Sequence, residues 1–414
     1  MKRLMLLLYL FTSSSEAQIL VGNQIMVGTT DSITSKILHE KETFWISLPA
    51  SYYNPHYAKA KYPVVYLLDG DANFVTVGSL TKQLSVRNGN TVLPEMIIVG
   101  ILNKNRTRDF TPFKSNFWIY DTPSPLSSTG GGEKFTAYLQ KELIPHIDSL
   151  YPTAPFKILI GHSLGGLAAM NILMNHTNLF NAYIVIDPSL WYDNQSFLRK
   201  AQQSLKIQKF QDVTLYLGIG NNLPAGMDTL ILLKDKANAN LHMRSIWQLK
   251  NSLIAEKDSE LRFKYVYYTN DTHMSVPLIS EYDGLRFIFD FYKLPSGTEA
   301  SFFNPDDKSD ASQILTRHFQ MVSQHLGYRM LPPESLVSIF ANTLQENYLS
   351  IKALSLFKLN AFNYPDSYSA LSSLGHYYEN EHNNLKAIEW YRKALKIADV
   401  RETREKVSKL EHEN

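Results

Sequence analysis

The segment Ile158-Leu159-Ile160-Gly161-His162-Ser163-Leu164-Gly165-Gly166-Leu167-Ala168-Ala169-Met170 constrains this chain more than any other. A short apolar run leads into Gly-x-Ser-x-Gly, and a helix-forming run begins at once. That order fits a strand, a tight turn and a helix, with Gly161 and Gly165 letting the two backbones approach closely. Such a turn holds Ser163 in a strained geometry above the C-terminal edge of a sheet, at the positive end of the following helix. A serine presented in this way is a candidate nucleophile, provided that a base takes its proton.

The surrounding pattern supports a sheet. Val64–Asp69, Met96–Leu102, Phe156–Ile160, Ala182–Asp187, Val213–Ile219 and Phe263–Thr269 are apolar runs with little alternation, as expected of strands covered on both faces. Helical patterns lie between them. In Glu133–Leu150, apolar residues recur at three- and four-residue steps, and Pro145 should kink or divide that helix. The alternating Thr43–Leu48 reads as an antiparallel edge strand. The expected fold class is therefore α/β, with a mostly parallel central sheet.

For the base, His273 is best placed among 12 histidines, in the loop Thr269–Pro277 after the last strand run. Loops at the C-terminal ends of parallel strands are where such sheets assemble sites. His162 reads as a packing or polar neighbour in the turn, and His242 falls within a helical pattern. The acid is open. Asp228 is the one carboxylate in the loop after Val213–Ile219, although it also suits a helix cap. Asp271 lies two residues before His273, and a Ser–His dyad without an acid is the third choice. A tetrahedral intermediate needs two backbone N–H donors. Leu164 would supply one, and Gly70 or Asp71, after the strand Val64–Asp69, the other. Trp191 and Tyr192 follow a strand end on the same side, and Trp191 is the candidate substrate contact, with core packing its alternative.

These residues resemble the esterase branch of the α/β-hydrolases that includes the ferric-enterobactin and salmochelin esterases. The resemblance rests on Tyr66–Asp71 with Phe74, Asn103 with Arg106–Pro112, Gly161–Gly166, Asp187–Asp193 and Thr272–Pro277, and covers roughly residues 25–292. It implies an α/β-hydrolase fold, catalytic Ser163 and His273, and oxyanion donors on Asp71 and Leu164. It also implies a variable acid, which matches the ambiguity among Asp228, Asp271 and a dyad. The implied activity is serine carboxylesterase through an acyl-enzyme, on an ester that siderophores exemplify, with no metal or organic cofactor. Arg106, Arg108 and Asp109 read as a structural ion-pair knot in preference to an anion contact.

Residues 1–17 carry the layout of a secretory signal peptide: Lys2-Arg3, the apolar Leu4–Phe11, and Ser15-x-Ala17 before Gln18. The expectation is an exported protein, secreted or periplasmic, with a hydrolase domain over 18–294. A polar linker over 295–310 should lead to a small all-α extension over 311–414. Leu371, Leu374, Gly375, Tyr378, Ala387, Tyr391 and Ala394 have tetratricopeptide-like spacing, with a weaker copy 34 residues earlier. Packing against the hydrolase is the leading role for these helices. A second copy of the chain is the other surface they could pack on, and recruitment of a protein partner, which would make the chain a binding module, is the alternative. Other acyl-transfer chemistry, on peptides or other acceptors, is the enzymatic runner-up. There is no cysteine, which excludes disulfides and thiol chemistry, and 41 basic against 39 acidic residues leave no footprint for nucleic acid. No later apolar run is long enough for a membrane span.

Overall fold

The computed structural model describes residues 26–85, 91–117 and 126–413. The expected leader over 1–17 lies outside these residues. Among them, no helix is long and apolar enough to cross a membrane.

Eight strands form one sheet: β1 (Thr29–Ser35), β2 (Glu40–Ser47), β3 (Tyr62–Leu67), β4 (Ile97–Leu102), β5 (Thr153–His162), β6 (Ala182–Ile186), β7 (Thr214–Gly220) and β8 (Arg262–Tyr268). Their spatial order is β1-β2-β4-β3-β5-β6-β7-β8. The pairs β1–β2 and β2–β4 are antiparallel, and every other neighbouring pair is parallel. All six expected parallel strands are present. The strand containing Thr43–Ser47 is antiparallel but is not the edge. The polar run of β1 covers it, and Thr-Thr-Asp-Ser-Ile-Thr-Ser carries too little apolar character to announce a strand.

Alternate residues of the strands feed two cores. Val64 and Tyr66 of β3 point to one face with Leu159, Tyr183 and Leu215. Val65 and Leu67 point to the other with Ile158, Ile184 and Tyr216. Helix Leu164–Asn175 lies on the first face, and helices Gly70–Leu84 and Val276–Ile288 on the second. This double covering is why the strands read as unbroken apolar runs. Pro145 does divide its segment: Gly132–Tyr138 and Ile144–Leu150 flank a π-turn at Leu139–Leu143. That wider turn absorbs the backbone hydrogen bond the proline cannot donate.

The C-terminal helices share the second core. Glu334–Glu346 pairs with Ser350–Asn363, Tyr368–Asn380 pairs with Asn384–Ile397, and Arg401–His412 closes the chain. In the second pair, a Cβ at Gly375 would come within 2.7 Å of the Tyr391 ring, so glycine sets how closely those helices pack. The stretch expected as a linker contains the helix Thr298–Phe303. Phe302 is fully buried, with its ring 5.5 Å from that of Phe340. Tyr292 and Phe319 meet edge to face at 5.7 Å, and Glu334 accepts the Ala58 N–H at 3.1 Å. The sequence there is polar enough to look like a tether, yet its two or three apolar residues stitch hydrolase and helices into one core.

Candidate active site

The site forms where β5, β6 and β7 end. Ser163 stands between β5 and helix Leu164–Asn175 with φ 57° and ψ −115°, a conformation that L-residues avoid and that persists only where the surroundings enforce it. The enforcement is visible. Ser163 N–H donates to Ile186 O at 3.0 Å, and Ser189 N–H donates back to Ser163 O at 2.9 Å. A Cβ on Gly161 would come within 2.3 Å of Gly165 O, so only glycine fits under the turn. The Ser163 hydroxyl remains partly exposed, 3.2 Å from Ser189 Oγ.

His273 Nδ1 lies 2.7 Å from Asp187 Oδ2. Asp187 follows β6 directly and is completely buried. Its other oxygen, Oδ1, accepts the Gly220 N–H at 3.0 Å from the end of β7. His242 Nε2 approaches Asp187 Oδ2 at 3.4 Å. Burial alone would raise the Asp187 carboxyl, but the hydrogen bonds from His242 and His273 outweigh it and hold the carboxyl well below the usual carboxylate range. The His273 backbone is fixed in turn, its N–H donating to Asn222 Oδ1 at 3.2 Å.

The imidazole of His273 is boxed between two others. The His162 ring centroid is 4.5 Å away and that of His242 is 5.0 Å away, nearly perpendicular. Burial, together with the neighbouring His273, pushes His162 down to about 4, so this ring stays neutral at neutral pH.

Asp228 is not at the imidazole. It caps the short helix Thr229–Lys234, its Oδ1 accepting the N–H groups of Leu230 and Ile231 at 2.8 Å each. Asp271 Oδ1 accepts from the Ser275 hydroxyl at 2.9 Å within its own turn, and its carbonyl accepts from Asn221 N–H at 2.6 Å, tying this loop to the one after β7. The carboxylate beside His273 is thus one strand earlier than the loop searched for it. Its signal in the sequence is an Asp closing a fully apolar strand between Ser163 and His273, in the order Ser…Asp…His.

Leu164 is the first residue of its helix, and Asp71 is the second of Gly70–Leu84. The first N–H groups of a helix have no intrahelical acceptor. These two helices start from the adjacent parallel strands β5 and β3, so both sets of amides emerge at one edge of the sheet. Arg106 ties the two starts together. It grips Asp69 with Nε to Oδ1 at 2.7 Å and a terminal nitrogen to Oδ2 at 3.0 Å, and it also donates to His162 O at 3.2 Å. Arg108 pairs with the buried Asp109 at 2.7 Å and with Glu40. The expected ion pairs are there, with Arg106 joined to Asp69 and Arg108 to Asp109 and Glu40. Trp191 is 1% exposed and part of the first core, so packing, its alternative reading, describes it better than substrate contact.

The Esterase family model, described as "Putative esterase", matches residues 35–252, just over half of the chain. Ferri-bacillibactin esterase BesA of Bacillus subtilis is 25% identical over 240 residues, which span 55% of this chain and 79% of BesA. An IroE-like serine hydrolase from Shewanella oneidensis superposes with a TM-score of 0.68 at 28% identity, covering 81% of this chain and 99% of the other. An uncharacterised protein from Capnocytophaga ochracea, 18% identical, covers 93% of this chain and 99% of its own with a TM-score of 0.55. The latter shows a shared fold that extends through the C-terminal helices.

Proposed function

The chain belongs to the Esterase family and is a hydrolase of carboxylic esters, and from that premise we propose that it works through Ser163, His273 and Asp187. The contact of 2.7 Å between His273 Nδ1 and Asp187 Oδ2, beside a serine held at positive φ, carries this reading. With Nδ1–H donated to Asp187, His273 presents a bare Nε2, the tautomer able to take the Ser163 proton. Ser163 Oγ attacks the ester carbonyl, and the N–H groups of Leu164 and Asp71 receive the oxyanion. His273 then protonates the departing alcohol. In the second half, water gives a proton to the same Nε2 and releases the acid from the acyl-enzyme.

The relatives suggest a siderophore-type ester as the substrate class. BesA is named for ferri-bacillibactin, and a second relative, from Emericella nidulans, is a siderophore enterobactin esterase. Met274, next to His273, is 80% exposed and offers an apolar surface at the rim for a bulky acyl group. Export is supported by the residue pattern of positions 1–17, and the intact mass of the mature protein tests it. The shared core favours a packing role for the C-terminal helices over recruitment of a partner.

Ser163→Ala, with its fold verified by circular dichroism, should abolish turnover of a catecholate trilactone and of a short-chain chromogenic ester alike. Wild-type protein should take up one equivalent of a fluorophosphonate, and the variant none. Retained turnover in the variant would end the proposal. Cleavage of simple esters with no activity on any siderophore ester would remove the substrate assignment alone.

A further inference from the structure

Asp187 Oδ2 faces two imidazoles at once, His273 Nδ1 at 2.7 Å and His242 Nε2 at 3.4 Å. The ligand-capable atoms of the three residues all lie within 4.8 Å of one another. The Ser–His–Asp chemistry needs only one of those imidazoles. His242 lies in the first turn of the helix Leu241–Ala255, and its remaining nitrogen, Nδ1, is buried with no partner among the described residues. Asp187 is anchored through Oδ1 by Gly220, which leaves Oδ2 as the convergence point. The side chains of His242 and His273 keep 13% and 23% of their surface exposed, so the cluster is reachable from solvent.

Two neutral imidazoles and one carboxylate form a ligand set suited to Zn²⁺, which binds nitrogen and oxygen at about 2.0–2.2 Å. Tetrahedral ligands at that radius stand roughly 3.3 Å apart, from the same distances. The His242 contact already has that spacing, and the His273 contact needs to open by several tenths of an ångström.

We propose that Asp187, His242 and His273 form a Zn²⁺ site whose occupation switches hydrolysis off. The inference rests on the Ser163–His273–Asp187 reading. Zinc takes the lone pair of His273 Nδ1, so that ring's single proton moves to Nε2. Zinc likewise takes His242 Nε2, whose proton moves to Nδ1. Both rings stay neutral, Asp187 stays ionised, and no proton is gained or lost overall. His273 then turns an N–H toward Ser163 where a lone pair is needed, and the acyl-enzyme cannot form. Zinc here is an inhibitor of the base, distinct from a cofactor.

The test titrates Zn²⁺ into chelator-treated full-length protein and follows ester turnover. In parallel, Co²⁺ serves as a spectroscopic probe of binding that does not depend on activity. The expected result is one metal per chain, a visible Co²⁺ band of a four-coordinate site, and more than tenfold loss of turnover that EDTA restores. His242→Phe should weaken inhibition at least tenfold, judged against its own metal-free rate. His242→Gln, which keeps a donor to Asp187 but is a poor zinc ligand, should do the same if the Phe variant folds badly. Ser163→Ala should bind metal as tightly as wild type. No binding, binding without loss of turnover, or inhibition of both His242 variants as strong as that of wild type would overturn the proposal. The triad reading stands or falls separately, on the metal-free rate after replacement of Asp187.

Discussion

Asp187→Asn should lower kcat by about 10³–10⁴-fold, the effect of the equivalent change in a serine protease triad. An asparagine in this position has the size of the carboxylate but offers an N–H to His273 Nδ1. The imidazole then keeps its proton on Nε2, facing Ser163, and the base is blocked. The loss should fall on kcat more than on KM, because the change acts on proton transfer. Asp228→Asn is the matched control. Asp228 caps the helix Thr229–Lys234 and touches no imidazole, so turnover should hold. Asp228→Ala should cost about 1 kcal/mol in urea unfolding at most, the usual value of a lost cap. If Asp187→Asn keeps wild-type kcat, the enzyme is a Ser–His dyad and the buried carboxylate is structural.

A second large effect is expected at Glu281, on the helix Val276–Ile288 that leads away from His273. Glu281 is 1% exposed, and neither carboxyl oxygen has a partner among the described residues. The helix sits tightly over the sheet: a Cβ on Gly218 would come within 2.1 Å of Ser280 Oγ. Burial pushes the Glu281 carboxyl from its ordinary 4.5 up to about 8. The folded state therefore binds the proton more tightly than the unfolded state. Between about pH 4.5 and 8 the unfolded chain releases that proton first, so stability falls as pH rises, and it levels off above 8. Integrated over that window the loss is roughly 4–5 kcal/mol. Glu281→Gln cannot ionise and should remove this slope, with little difference from wild type at pH 4.5 and a gain of a few kcal/mol by pH 8. Urea unfolding of both proteins at the two pH values checks it. Parallel wild-type and variant slopes would mean that Glu281 is paired or hydrated in solution. Glu42, raised to about 7 chiefly by burial, is common to both proteins and cancels in the comparison.

The parts of the molecule written in local pattern are legible in the sequence. Ile158–Met170 announces a strand, turn and helix because apolar run, glycines and helix formers occur in a fixed order within 13 residues. The placement of Ser163 after β5 and of His273 after β8 follows from where loops fall on a parallel sheet. The contact of Asp187 with His273 was not legible, because it depends on which strand lies beside β5, and a sheet's spatial order is not local. His242 was hidden for a related reason: nothing in its helix records that the N-terminal turn points at the end of β6. Trp191 misled because a large aromatic after a strand end suits a pocket wall and a core equally. The junction at 295–310 misled by composition, since its polar average hides Phe302.

That junction bears on how the chain meets proteases. Cleavage needs a segment of backbone that can be drawn out into an enzyme's cleft, and polar connectors between domains are the customary place. Here the connector is clamped by Phe302 on Phe340 and by Lys352, whose ammonium donates to the carbonyls of Ser301 and Asn304 at 2.8 and 2.9 Å. The stretch from Ser301 to Asn304 should therefore resist limited proteolysis better than an untied polar connector. Because the two parts share one core and the chain has no disulfide to hold nicked pieces in place, a cut there should cost both parts their packing.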